Sequence, residues 1–192
     1  MKKLLITGFD PFDGASVNPS WEAVKLLPEQ IGNFELCKLQ IPTVFGLAAA
    51  TVLEKAAKIS PDAIICVGQA GGRAAVTPER IGINIRDARI CDNTGISPKD
   101  EPIVPGGPDG LFSTLPVKAM IEAIQESGLP AAISNTAGTF VCNDVLYTLL
   151  HHYQGSGVRC GFIHVPYLPE QGSPSLTLEQ TVQALTAAIS AL

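Results

Sequence analysis

The chain has no C-x-x-C pair, no basic block, no long apolar run and no internal repeat, and each absence closes a class of function. Its five cysteines, at positions 37, 66, 91, 142 and 160, are odd in number and widely separated, with no spacing for a zinc site or redox centre. Such a set suits a reducing compartment, where a thiol stays free to react. Lys and Arg number 13 against 18 Asp and Glu, and the net charge of -5 is spread along the chain. Neither nucleic acid nor an anionic membrane surface is implied as a partner. The longest largely apolar stretches, such as Leu47 to Leu53, fall short of the roughly 18 to 20 residues that a spanning helix needs. Leu4-Leu5-Ile6 runs at once into Thr7-Gly8-Phe9-Asp10, too short for a signal-peptide core and without a small-residue cleavage site. A cytoplasmic location is expected, and no pattern asks for a metal or cofactor.

What is present is βαβ alternation on a chain of 192 residues, a length that suits one domain spanning 1-192. Lys3 to Thr7 reads as a strand that ends in the loop Gly8-Phe9-Asp10-Pro11-Phe12-Asp13-Gly14. Asn18 caps a helix that Pro19 opens and that runs to about Leu27. Phe34 to Ile41 reads as strand, Val44 to Ile59 as helix, and Asp62 to Gly68 as a fully buried strand. Ile81 to Ile90 alternates apolar and polar residues, the pattern of a strand with one face toward solvent or ligand. Asp92 to Gly110, rich in Pro, Gly and Asp, is a long loop of the kind that carries function. Ser113 is the expected cap of a helix to about Ser127, followed by a short strand from Ala131 to Ser134 and a helix from Phe140 to Tyr153. Val158 to Val165 is another buried strand, and Thr177-Leu-Glu-Gln180 is a capping box that opens the last helix. The expected fold is an α/β/α sandwich with a mostly parallel central sheet, of phosphorylase or hydrolase type, with its site on loops at strand ends.

A reactive cysteine should sit at a helix N-terminus and near an imidazole, because both favour the thiolate. Cys142 meets the first condition: it lies in SNTAGTFVCN, within the first turn of the helix expected from Phe140. Cys37, Cys66 and Cys160 fall in strands and read as structural thiols, while Cys91 stands at a strand end beside the long loop. Of the three histidines, His151 and His152 lie about 13 Å farther along the helix of Cys142 and suit its C-terminal dipole. His164 instead closes a buried strand before Pro166, at the sheet edge where catalytic loops gather, and is the sensible base for Cys142. A Cys-His pair needs a third group to orient the imidazole. Glu79, Asp87 and Asp92 are the candidates. The Glu79-Arg80 dipeptide by itself is the pattern of a solvated surface pair. The preceding Gly68-x-x-Gly71-Gly72 matches neither the dinucleotide fingerprint nor the phosphate-binding loop.

Three segments together, Gly68 to Asn84 (GQAGGRAAVTPERIGIN), Ser134 to Asn143 (SNTAGTFVCN) and Gly161 to Pro169 (GFIHVPYLP), resemble the pyroglutamyl peptidase I family. The opening TGFDPFDG and NPSWEA extend the likeness over nearly the whole chain. The resemblance implies a cytosolic, cofactor-free cysteine exopeptidase that removes an N-terminal pyroglutamyl residue, with Glu79, Cys142 and His164 as its triad. It further implies a pocket of Phe9, Phe12, Thr43, Ile90, Phe140 and Val141, with Gln69 close by and Arg89 near the oxyanion. Peptides beginning with pyroglutamate are the implied partners, and a homo-oligomer, commonly a tetramer, the implied assembly. Two other readings fit the pattern of elements: a nucleoside phosphorylase or nucleosidase, in which Cys142 is dispensable, and a non-catalytic peptide-binding protein.

Overall fold

The computed structural model describes residues Met1–Leu192. Two layers of helices enclose a sheet whose innermost strands are buried on both faces, as parallel strands are when both sides are covered. The elements are β1 (Lys2–Phe9), α1 (Pro19–Leu26), β2 (Gln30–Ile31), β3 (Phe34–Ile41), α2 (Leu47–Ile59), β4 (Ala63–Gln69) and β5 (Thr77–Pro78). They continue with β6 (Ile81–Ile83), β7 (Gly110–Phe112), α3 (Val117–Glu126), α4 (Val141–His152), β8 (Arg159–Val165) and α5 (Leu178–Ser190). The main sheet runs β2-β3-β1-β4-β8-β5. Its four central strands are mutually parallel, and the two short edge strands pair antiparallel. The expected α/β/α sandwich is therefore the observed fold.

Period-2 alternation divides the strand residues between two cores. Leu4, Ile6, Ile65, Val67, Ile163 and Val165 face α1, α3 and α5. Leu5, Ile64, Cys66, Cys160 and Phe162 face α2 and α4. By the same parity Gly68 and His164, which are register partners across β4 and β8, stand on the α4 side. The strand order reverses at β1, so a crevice opens beyond the carboxyl ends of β1, β4 and β8, as it does at the switch point of doubly wound sheets.

Local signals hold where they are strong. Asn18 caps α1 by accepting from Ser20 N, and the Thr177–Gln180 capping box is complete. β3 has the expected bounds. Several expectations need correction. The helix expected from Val44 begins at Leu47, because the N–H groups of Phe45 and Gly46 bond the Asp92 and Asp144 carboxylates rather than carbonyls of a preceding helical turn. The strand expected from Ile81 to Ile90 stops at Ile83, where the Asn143 amide takes the Ile83 N–H and the Ile83 and Ile85 carbonyls. Ser113 does not cap α3, which begins at Val117; its hydroxyl instead bonds the Cys160 carbonyl. Ala131 to Ser134 makes isolated bridges to Val76 and Glu79 and no strand. The long loop from Asp92 is tied down by Asn84 at Val104 and by Tyr147 Oη on the Pro108 carbonyl, and its end becomes β7. No helix is long and apolar enough to cross a membrane.

β1 and α1 approach so closely that a Cβ on Gly8 would lie 2.6 Å from both Trp21 N and Trp21 Cα. Backbone cannot step aside as a side-chain tip can. Gly8→Ala is expected to lower stability by about 1–3 kcal/mol, read as a lower urea midpoint with an unchanged slope.

Candidate active site

A cavity of about 760 Å³ opens at the carboxyl ends of the central strands, and Cys142 and His164 both line it. β8 delivers His164 as its penultimate residue, and β4 delivers Gly68 beside it. A Cβ built on Gly68 would lie 2.9 Å from Cys142 Sγ and 2.7 Å from Phe162 Cζ. The thiol thus occupies the space that any larger residue would fill, on the same face as the imidazole.

α4 starts at Val141, so Cys142 is in its first turn. Phe140 at the N-cap offers no side-chain acceptor, and the N–H groups of Val141, Cys142 and Asn143 have no hydrogen-bond partner. Three donors and the positive end of the helix dipole therefore stand at the helix end that carries Cys142, free to receive an anion. Asp144, fully buried in the same first turn, anchors this helix end through Arg86 Nε at 2.7 Å and Gly46 N at 2.7 Å.

His164 Nδ1 and Glu79 Oε1 are 2.7 Å apart and both groups are buried. Of the three acidic candidates only Glu79 makes this contact. Asp92 is engaged by Phe45 N, Thr94 and Ile96 N, while Asp87 lines the cavity. Glu79 is not the solvated partner of Arg80 that the dipeptide suggested: it is fully buried and pairs with Arg73, whose Nη1 is 2.8 Å from Oε1. Isolated bridging to Ser134 and a backbone bond to the Phe162 carbonyl draw Glu79 under the sheet edge.

Burial pushes the Cys142 thiol up to about 12, the Glu79 charge adds to the rise, and Arg73 opposes it. Burial also holds His164 below its ordinary value, only partly offset by the hydrogen bond and charge of Glu79. Burial opposes ionisation of Glu79 too, but His164, Ser134 and Arg73 together outweigh it and hold the carboxyl below its usual range. Near neutral pH the site therefore rests as thiol, neutral imidazole and carboxylate. With Nδ1–H donating to Glu79, Nε2 of His164 is left to accept a proton.

Phe9, Phe12, Thr43, Gln69, Arg89, Ile90 and Phe140 line the same cavity. Phe140 meets Phe12 and Phe45 at ring-centroid distances of 6.2 and 5.2 Å. The Val141 side chain does not line it: it is fully buried in the core between α4 and the sheet, because at the first helical position it points inward, and only its N–H remains at the helix end. Asn18, Asp87, Arg73 and the segment from Thr136 to Thr139 also line the cavity and were not assigned to it from sequence. No three His, Cys, Asp or Glu side chains converge to hold a metal ion. His151 and His152 end α4, remote from its first turn.

A thiol at a helix N-terminus, an imidazole lining the same cavity and a buried carboxylate bonded to that imidazole define a cysteine hydrolase on a three-layer α/β fold. The sequence model of the pyroglutamyl peptidase family matches residues 2–192. The chain is 51% identical over 196 residues to a pyrrolidone-carboxylate peptidase of Erwinia tasmaniensis, covering 99% of this chain and 92% of that protein. It is 52% identical over 200 residues to that of Bacillus licheniformis, covering 100% and 93%. Among solved structures, pyroglutamyl peptidase I of Bacillus amyloliquefaciens superposes with a TM-score of 0.96 at 49% identity, covering 99% of this chain and 96% of that one. The pyrrolidone carboxyl peptidase of Thermococcus litoralis superposes at 0.95 with 38% identity, covering 100% and 93%. The chain belongs to the pyroglutamyl peptidase family.

Two outcomes are expected. Gly68→Ala pushes on the far ends of Cys142 and Phe162, so the protein folds while turnover falls about 100-fold, checked by circular dichroism alongside steady-state kinetics. Because folding lowers the proton affinity of His164, the unfolded chain protonates first as pH drops below about 6.5. Stability is then present above that value and declines as pH falls toward the folded value of His164. Urea unfolding between about pH 7 and 5 should show this slope in the wild type and a shallower one in His164→Gln.

Proposed function

We infer that the chain hydrolyses the bond after an N-terminal pyroglutamyl residue of peptides, with Cys142 as nucleophile, His164 as general base and acid, and Glu79 as orienter. The observation that carries the role assignment is the buried 2.7 Å contact between His164 Nδ1 and Glu79 Oε1, on the sheet face where Cys142 Sγ fills the gap left by Gly68.

His164 Nε2 takes the thiol proton as Sγ attacks the pyroglutamyl carbonyl carbon, and the oxyanion settles among the unpaired N–H groups of α4, with Arg89 nearby in the cavity. The C–N bond breaks as His164 returns the proton to the leaving amine, and the shortened peptide departs. Water then gives a proton to His164 and adds to the thioester carbonyl. The C–S bond breaks, pyroglutamate leaves, and the proton returns to the sulfur. A resting thiol and neutral imidazole suit this order, since proton transfer accompanies attack instead of preceding it.

The substrate ring is a small uncharged lactam. Phe9, Phe12, Phe140 and Ile90 form an apolar wall for it, and Thr43 adds a hydroxyl. A free amino terminus would bring an ammonium into that wall, at an effective penalty of several kcal/mol. Selection against unblocked peptides needs no dedicated repulsive residue. The catalytic unit proposed is the whole of 1-192, acting in the cytoplasm as a homotetramer, in keeping with family resemblance. Sedimentation at micromolar concentration checks the assembly, and a monomer there would remove that part of the proposal.

Release of a fluorogenic amine from its pyroglutamyl amide tests the chemistry. Wild type is expected to turn over this substrate and spare the prolyl and glutamyl amides. Cys142→Ala should lose activity to background, and Glu79→Gln should lower kcat by about 10²–10⁴-fold. Activity that survives in folded Cys142→Ala would overturn the assignment.

A further inference from the structure

Glu79 is an unusual carboxylate in how its two oxygens are used. Oε1 is shared by His164 Nδ1 at 2.7 Å and Arg73 Nη1 at 2.8 Å, while Oε2 is buried with no hydrogen-bond partner. The Ser134 hydroxyl nearby, which also favours the charged carboxylate, donates to the Thr136 carbonyl at 3.0 Å. The His164 and Arg73 bonds to this buried charge therefore converge on one oxygen.

Arg73 comes from the loop after β4, which is held where Gly71 passes so close to Tyr167 that a Cβ would lie 2.1 Å from its Oη. From there the guanidinium reaches three places at once. Nη1 also meets Thr77 Oγ1 at 2.6 Å, and Nη2 donates to the Thr136 carbonyl at 3.1 Å, in the segment that leads into Cys142. Thr77 is itself the register partner of His164 across β5 and β8. The planar fork of an arginine fits this geometry, and a lysine offers one point charge for the same three acceptors. The side chain is 30% exposed and lines the cavity, so its charge bears on the reacting groups through a route only partly screened by water.

We propose that Arg73 is a positioning residue of the triad: by sharing Glu79 Oε1 with His164 it aims the carboxylate at Nδ1 and sets the pH range in which the Cys142–His164 pair exchanges its proton. The proposal rests on the triad roles given under the proposed function. The titratable and charged groups that face the pair are Glu79 from the segment after β5, Arg73 from the loop after β4, Cys66 from β4 itself, and Asp13, Asp87 and Arg89 from the cavity lining. Arg73 is the cation bonded to the acid that holds the imidazole. Its removal leaves Glu79 to act on His164 undiluted, which favours the imidazolium, and withdraws positive charge from the thiolate. Both changes raise the pH at which the pair loses a proton.

The test is the pH dependence of iodoacetamide alkylation at Cys142, followed by the mass of the Cys142 peptide, together with turnover of a pyroglutamyl amide, in the full chain. In Arg73→Met both limbs should move to higher pH by about half a pH unit or more, with kcat falling more than KM rises. Arg73→Lys should keep the limbs near their wild-type place while losing part of kcat. In a Glu79→Gln background, Arg73→Met should move the limbs less than in the wild-type background, because only the direct loss of positive charge remains. Unmoved limbs in folded Arg73→Met, or a rise in KM alone, overturn the proposal. If Arg73→Met does not fold, Arg73→Gln supplies the neutral variant, read the same way. Alkylation of His164→Ala that matches wild type would sink the triad itself, an outcome separate from failure at Arg73.

Discussion

A carboxylate with no exposed surface has to be compensated by donors that the fold delivers to it, and Glu79 is that carboxylate here. His164 arrives from a central parallel strand, Arg73 from the loop after its neighbour, and the backbone carbonyl of Phe162 fixes the Glu79 main chain. Removing any one donor leaves charge uncompensated in a medium that penalises it. The imidazole consequently has one tautomer and one orientation.

The second constraint lies at the start of α4. Its first turn has to leave N–H groups unpaired while the helix stays fixed, although such ends are usually capped. Side chains of that same turn carry the anchoring. Asn143 grips the backbone at Ile83 and Ile85, and Asp144 ties Arg86 and the turn before α2. These same bonds pull the 84–90 segment out of the sheet and over the cavity, where Asp87, Arg89 and Ile90 become part of its wall. Anchoring the nucleophile and building the pocket are one set of interactions.

Long periodic elements were legible because their signal is local: β3, the Asn18 cap and the Thr177 capping box are where spacing and cap chemistry put them. β2, β5 and β7 were not, since two or three residues make a strand only when a partner lies alongside. The alternation from Ile81 to Ile90 was real but misleading beyond Ile83, because tertiary hydrogen bonds from Asn143 outweighed it. Val141 was assigned to the pocket by likeness, and one helical turn of geometry buries it instead.

Cys142 and His164 stood out from the chain alone through rules that need no partner: a thiol after a glycine turn in the first turn of a helix, and a histidine at the end of a buried strand. Full-length resemblance supplied Glu79, whose neighbour Arg80 made it look like surface. That Glu79 is buried, that it pairs with Arg73 and not with the adjacent arginine, and that Gly68 makes room for sulfur were decided by tertiary structure. Each depends on strands far apart in sequence lying side by side, with side-chain parity fixing which groups share a face. Periodicity along one segment carries no record of its neighbour across the sheet.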